Sequence, residues 1–131
     1  EARKPLQQAE QALKEVCGVS DKTIAQQLGI TKFPFEIKDD NGNEIYFELL
    51  DGFWRKSEYD HNDNLVHYQD SHGFWNNRVY DSNNNKVYFE NSDGYWWKGQ
   101  YDHNDKLVYR EDSDGDVKDN KENINKDMQS E

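Results

Sequence analysis

The chain has 131 residues, enough for one domain with a modest core, and it is 33% hydrophobic yet 14% aromatic, so apolar burial must come chiefly from rings. Its formal net charge of −11 disfavours direct nucleic-acid binding and favours basic partners, including the basic clefts of proteins that hold nucleic acid. No stretch approaches the roughly 20 apolar residues of a membrane span, and the single cysteine, Cys17, excludes an internal disulfide and points to a reducing, cytosolic compartment.

In chain order, residues 5–17 place Leu6, Ala9, Leu13 and Val16 at helical spacing, with Pro5 at a first helical position and Gly18 just past the end. A second helix over 20–28 takes Ser20 as its N-cap, buries Ile24 and Leu28 and stops at Gly29. The expectation for 1–30 is therefore a helical hairpin packed on a sheet formed by the rest of the chain. The run 20–31 resembles the opening of a helix-turn-helix, but Phe33-Pro34-Phe35 leads into a strand where a recognition helix should stand.

From 31 to 115 the chain repeats. Gly52, Gly73, Gly94 and Gly115 are spaced 21 residues apart, and so are Trp54, Trp75 and Trp96; Tyr59, Tyr80 and Tyr101; and Val66, Val87 and Val108. A period shared by several columns signals a repeat architecture. Each unit reads as two short strands rich in aromatic and β-branched residues, separated by two turns. One turn is Asp/Asn-rich (60–64, 81–85, 102–106), and the other places Gly where a left-handed residue is needed. Residues 31–50 are a degenerate first copy, and the pattern fades after Gly115 into a polar tail, 116–131. The expected fold is mainly β with a small α part: a helical hairpin, then an antiparallel meander of seven or eight strands.

Parity sorts the side chains. Ile45, Val66, Val87 and Val108 share a face with Phe47, Tyr68 and Phe89, the better candidate core; Tyr46, His67, Tyr88 and Tyr109 share the other with Glu48, Gln69, Glu90 and Glu111. Which face takes the Trp54, Trp75 and Trp96 column depends on a turn register that the pattern leaves open.

Tyr59-Asp60, Asn64-Leu65, Asp70, Gly73 and Tyr80-Asp81, with their copies over about 39–115, resemble the YD repeats of Rhs-type proteins. That resemblance implies successive β-hairpins, though about four copies are too few to build the family's large shells. The stretch 92–104 is also similar to repeats in small proteins of phages and polymorphic-toxin loci, which implies a mobile-element setting in a bacterial cell.

Histidines and carboxylates recur by repeat position, whereas an active site needs one asymmetric constellation, so a non-enzymatic role is expected, without cofactor or metal. The segments 39–43 and 112–116 alternate oxygen side chains as calcium loops do, but Leu50 and Asn123 stand where the closing Glu belongs, so Asx turns are expected. Acid lies mostly beyond residue 38: 1–38 carries six Lys/Arg against five Asp/Glu, and 39–131 carries ten against 22. The expected function is a small acidic inhibitor that binds the basic nucleic-acid surface of a bacterial defence nuclease, of anti-CRISPR or antirestriction type. Its expected partner contacts are Asp60, Asp63, Asp81, Asp102, Asp105, Glu90, Glu111, Trp54, Trp75 and Trp96. Two alternatives stand beside it: immunity against a cognate toxin nuclease, and a calcium-stabilised adhesive or carbohydrate-binding module using the Trp column. Open sheet edges also leave homodimer pairing available.

Overall fold

The computed structural model describes residues 21–120. The helix expected over 5–17 and Cys17 lie outside them. Nine strands succeed one another in space in chain order, all antiparallel: β1 (Phe35–Lys38), β2 (Glu44–Glu48), β3 (Trp54–Tyr59), β4 (Leu65–Asp70), β5 (Trp75–Tyr80), β6 (Lys86–Asn91), β7 (Trp96–Tyr101), β8 (Leu107–Asp112) and β9 (Val117–Asp119). At ~4.8 Å per strand the meander is a ribbon roughly 40 Å wide. One short helix precedes it, α1 (Ile24–Leu28). No described helix is long and apolar enough to cross a membrane.

The ninth strand falls within the stretch expected to be tail. Ladder bonds are made by the backbone, so they survive the loss of the Trp at Val117: Ser113 N–H still donates to Trp96 O at 2.9 Å and Gly115 N–H to Asp112 O at 3.0 Å, closing the turn into β9. All three residues of β9 are exposed, as befits a polar edge strand.

Both turn families follow one plan. In 60–64 the Asp63 N–H donates to Asp60 O at 3.0 Å and the Asp60 N–H to Asn64 O at 2.9 Å; in 70–74 Gly73 N–H donates to Asp70 O and Asp70 N–H to Phe74 O at 3.0 and 2.9 Å. The fourth residue of each turn is left-handed, Asp63 at φ 64° and Gly73 at φ 87°, the geometry of a type I turn closed by a left-handed bulge residue.

Helix α1 begins later than expected, at Thr23 and not Ser20. Thr23 Oγ1 accepts the Gln26 N–H while the Gln26 side chain accepts the Thr23 N–H, a capping box; Gly29 at φ 72° ends the helix. The helix lies against the first two strands, where Ile24, Ile37 and Tyr46 are buried and Leu28, Phe35, Ile45 and Trp54 pack around them. The buried apolar cluster is therefore not on the face of the valine column, although Val108 of that column is itself buried. Tyr46 and Glu48 are 1% and 2% exposed, and they belong to the other face. Over β3 to β9 most side chains stay half-buried, because α1 is the only described helix and it covers only one end.

Gly99 marks a close approach within this sheet. A Cβ there would meet Leu107 Cδ1 at 3.0 Å, the Tyr109 carbonyl at 3.1 Å and the Trp97 ring at 3.4 Å. Gly99→Val should destabilise the protein by about 1–3 kcal/mol through overpacking, read as a lower urea midpoint; an unchanged midpoint would show that the Leu107 side chain and the Tyr109 backbone give way freely.

Candidate partner-binding surface

An antiparallel meander brings every second turn to the same long edge, so 39–43, 60–64, 81–85 and 102–106 form one row. Within it Asp60 Oδ1 accepts the N–H groups of Asn62 and Asn64 at 2.8 and 3.0 Å, Asp81 those of Asn83 and Asn85 at 2.9 Å each, and Asp102 those of Asn104 and Lys106 at 2.8 and 3.0 Å. These backbone bonds, led by the one from the last residue of each turn, hold all three carboxyls below the ordinary aspartate range, as they also do for Asp39. Asp39, Asp60, Asp81 and Asp102 thus stay ionised to lower pH than a free aspartate would.

Neighbouring turns are also tied together. Asn43 Nδ2 donates to Asp63 Oδ1 at 2.8 Å, Asn64 Nδ2 to Asn84 Oδ1 at 2.9 Å and Asn85 Nδ2 to Asp105 Oδ1 at 2.9 Å. Each acceptor is the left-handed residue of its turn, with φ between 63° and 66°. A non-glycine residue there carries a backbone cost of roughly 1 kcal/mol, which the inter-turn bond offsets. The first turn has no described predecessor to receive a bond from, and it uses Gly42 at φ 87°. The Asn43, Asn64 and Asn85 column, spaced 21 residues apart, was the available signal for this tie, though not for its acceptors.

The register settles where the tryptophans go. Glu48 opposes Trp54, Gln69 opposes Trp75 and Glu90 opposes Trp96, so the Trp column shares the carboxylate face. The ten expected contact residues therefore form two groups: five aspartates on one edge, and Glu90, Glu111 and the tryptophans on one face. Trp54 is partly withdrawn into packing, stacked on Tyr46 at 6.3 Å, whereas Trp75 is 36% exposed. Glu111 is engaged by Lys98 at 2.8 Å, a bond that lowers the carboxyl's pKa and raises the ammonium's. Glu90 accepts the Tyr88 hydroxyl at 3.2 Å and Asn77 Nδ2 at 3.0 Å.

No protein-family model matches this sequence, and no curated protein is similar to it.

The opposite face holds a pattern that the acid count conceals. Arg55 lies 4.1 Å over the Phe47 ring and grips Glu44 through two bonds of 2.9 and 3.1 Å. Arg78 and Lys86 sit over Phe89 at 5.7 and 5.5 Å, and Lys86 and Arg110 over Trp97 at 5.5 and 5.4 Å. Cations interleaved with rings replace the apolar layer that a second sheet would supply. Arg55, Arg78 and Arg110 share parity with Phe47, Phe89 and Trp97, which was the available signal.

An open groove of about 460 Å³ is lined by His67, Gln69, Asp70, Gly73, Phe74, Trp75 and Asn77. Its His67 ring is held between Asn77 Oδ1 and Gln69 Oε1, and no nucleophile or acid pairs with it there. Among the described residues, no group of three or more His, Cys, Asp or Glu side chains is placed to hold a metal ion. The calcium-loop-like segments use their oxygens on their own backbone: Asp39 Oδ1 accepts Asn41 and Asn43 N–H, and Asp112 Oδ1 accepts Asp114 and Asp116 N–H.

Proposed function

We propose that the chain is a small non-enzymatic inhibitor encoded by a phage or other mobile element. In this reading tandem 21-residue hairpin units, preceded by a helical hairpin, carry regularly spaced acid into the basic nucleic-acid channel of a bacterial defence nuclease of CRISPR or restriction type. One observation carries it: Asp39, Asp60, Asp81 and Asp102 recur along a single edge, each kept ionised by backbone N–H groups. Adjacent turns of that edge are two strands apart, so the charges repeat every ~10 Å on a stiff support. Such a row steers encounter with a basic cleft and selects it over acidic surfaces. The carboxylates are anchored by the turns, so the partner meets fixed charges and little ordering entropy is lost on binding.

Expressed in bacteria carrying an active restriction or CRISPR nuclease, the chain should restore plating of a targeted phage, and the purified chain should block DNA cleavage in a salt-sensitive manner. Unchanged plating and cleavage across a panel of such nucleases would remove this reading. Protection confined to a toxin nuclease would reassign the chain to immunity.

A further inference from the structure

The carboxylate face contains, at its covered end, a completed docking event that can be compared with the rest of the sheet. There Ile37 opposes Tyr46 and Glu48 opposes Trp54. Onto this set comes the start of α1: Thr23 Oγ1 donates to Glu48 Oε2 at 2.7 Å, the Ala25 N–H donates to Glu48 Oε1 at 3.1 Å, and Ile24 is fully buried between them. The Tyr46 hydroxyl donates to Glu48 Oε1 at 2.7 Å and orients it. Lys56 Nζ stands 5.9 Å from the Trp54 ring.

Two hairpins further on, the same arrangement recurs without a described helix over it. Val79 opposes Tyr88 and Glu90 opposes Trp96; the Tyr88 hydroxyl donates to Glu90, and Lys98 Nζ stands 5.9 Å from the Trp96 ring. Val79, in the place of buried Ile37, is 51% exposed. Glu90 receives two donors, from Tyr88 and Asn77, of the roughly four that a carboxylate can accept. The intervening hairpin does not qualify, since Glu58, His67 and Gln69 replace the aliphatic, tyrosine and carboxylate positions. Neither does the last one, where Gln100 and Val117 replace the aliphatic and Trp positions and Lys98 occupies Glu111.

We propose that Val79, Tyr88, Glu90 and Trp96 form a receptor for the first turn of an α-helix supplied by a partner protein, one that begins with a Thr or Ser cap followed by an aliphatic and then a small residue. Charge complementarity selects this occupant: the Glu90 carboxylate faces outward beside an exposed valine and a Trp, and a capped helix start offers a hydroxyl, free N–H groups and an apolar side chain together. The chain's own α1 is committed to Glu48 and does not serve Glu90. This site is separate from the aspartate edge and stands whether or not that edge meets a nuclease.

The test uses a lactam-stapled peptide of residues 21–30, titrated into the full chain and followed by amide and indole NMR shifts. Shifts should centre on Val79, Tyr88, Glu90 and Trp96, and either Glu90→Gln in the chain or Thr23→Val in the peptide should weaken binding at least about tenfold, the scale of one lost charge-assisted bond. A chain carrying Glu58→Val, His67→Tyr and Gln69→Glu should bind two peptides instead of one. No binding at millimolar peptide, shifts confined to Ile37, Tyr46, Glu48 and Trp54, or equal affinity for Glu90→Gln would overturn the proposal. So would a free chain already dimeric or self-covered through Glu90, which would put its own residues in the place assigned to a partner.

Discussion

Replacing Glu48 with Ala should cost the N-terminal end of the sheet about 3 kcal/mol, since up to three hydrogen-bond donors then lose their acceptor at ~1–3 kcal/mol for each one left buried. Glu48 is 2% exposed, and the donors that reach it are the Tyr46 hydroxyl, the Thr23 hydroxyl and the Ala25 N–H, all uncharged. The carboxylate thus joins helix to sheet and satisfies groups that water cannot reach. Burial, reinforced by the bond to Glu48, pushes the Tyr46 phenol far up, so this tyrosine stays protonated and donates throughout the accessible pH range.

The loss should be local before it is global. In a meander each strand touches chiefly its neighbours, so unseating α1 need not melt the far hairpins. Hydrogen exchange should show Ile37 and Tyr46 amides losing protection while those of Trp97 and Lys98 keep it. Glu90→Ala is the matched control: the same Tyr-x-Glu pattern, with no described helix over it, should cost about 0.5–1 kcal/mol, the net worth of ordinary half-buried bonds. Equal losses at the two glutamates would contradict the assignment of burial to one of them.

That contrast also shows how far the sequence could be read. Tyr46-Phe47-Glu48 and Tyr88-Phe89-Glu90 are the same tripeptide. Strand parity placed both on one face, and the 21-residue spacing of the Gly column located the left-handed residues now seen at Gly73 and Gly94, whereas the Asp/Asn-rich turns left open which residue takes that place, now seen to be Asp63, Asn84 and Asp105. Periodicity cannot say which copy a helix covers, because that is decided by non-repeating contacts of Thr23, Ile24 and Ala25 with the first hairpin. The core expected under the valines is realised only at Val108, and its clustered part lies around Tyr46. The side of the Trp column was equally closed to parity, since one residue of turn register reverses it. The strand pairing fixes it, with Glu48 opposite Trp54. Of the expected contacts, the aspartates were legible as turn formers, but their attachment to neighbouring turns depends on side chains meeting across two strands, which the Asn column hinted at without showing.

Changing Asp60, Asp81 and Asp102 together to Asn should leave the meander folded and weaken binding to a basic nuclease by about 10- to 100-fold, the combined effect of three lost rim charges. The fold should survive because this protein already makes the substitution elsewhere: Asn91 Oδ1 accepts the Asp93 and Tyr95 N–H groups at 3.0 and 3.3 Å, in the role that Asp70 fills one hairpin earlier. An amide at 60 and 81 forfeits only the long 3.3 Å contacts from Asn64 and Asn85. The loss should appear mainly in the association rate and vanish at high salt, where the charges are screened. The same variant separates charge from structure in acid. The folded pKa of each aspartate lies below its unfolded value of ~3.9, so its contribution to stability is present above that value and disappears as pH falls through the folded pKa. Melting temperature should accordingly drop below about pH 4 in the natural chain and drop less steeply in the variant, whose amides accept their backbone bonds at any pH. A variant that unfolds at neutral pH would show that the full carboxylate is needed to close these turns; one that binds the nuclease unchanged would take the aspartate edge out of the interface.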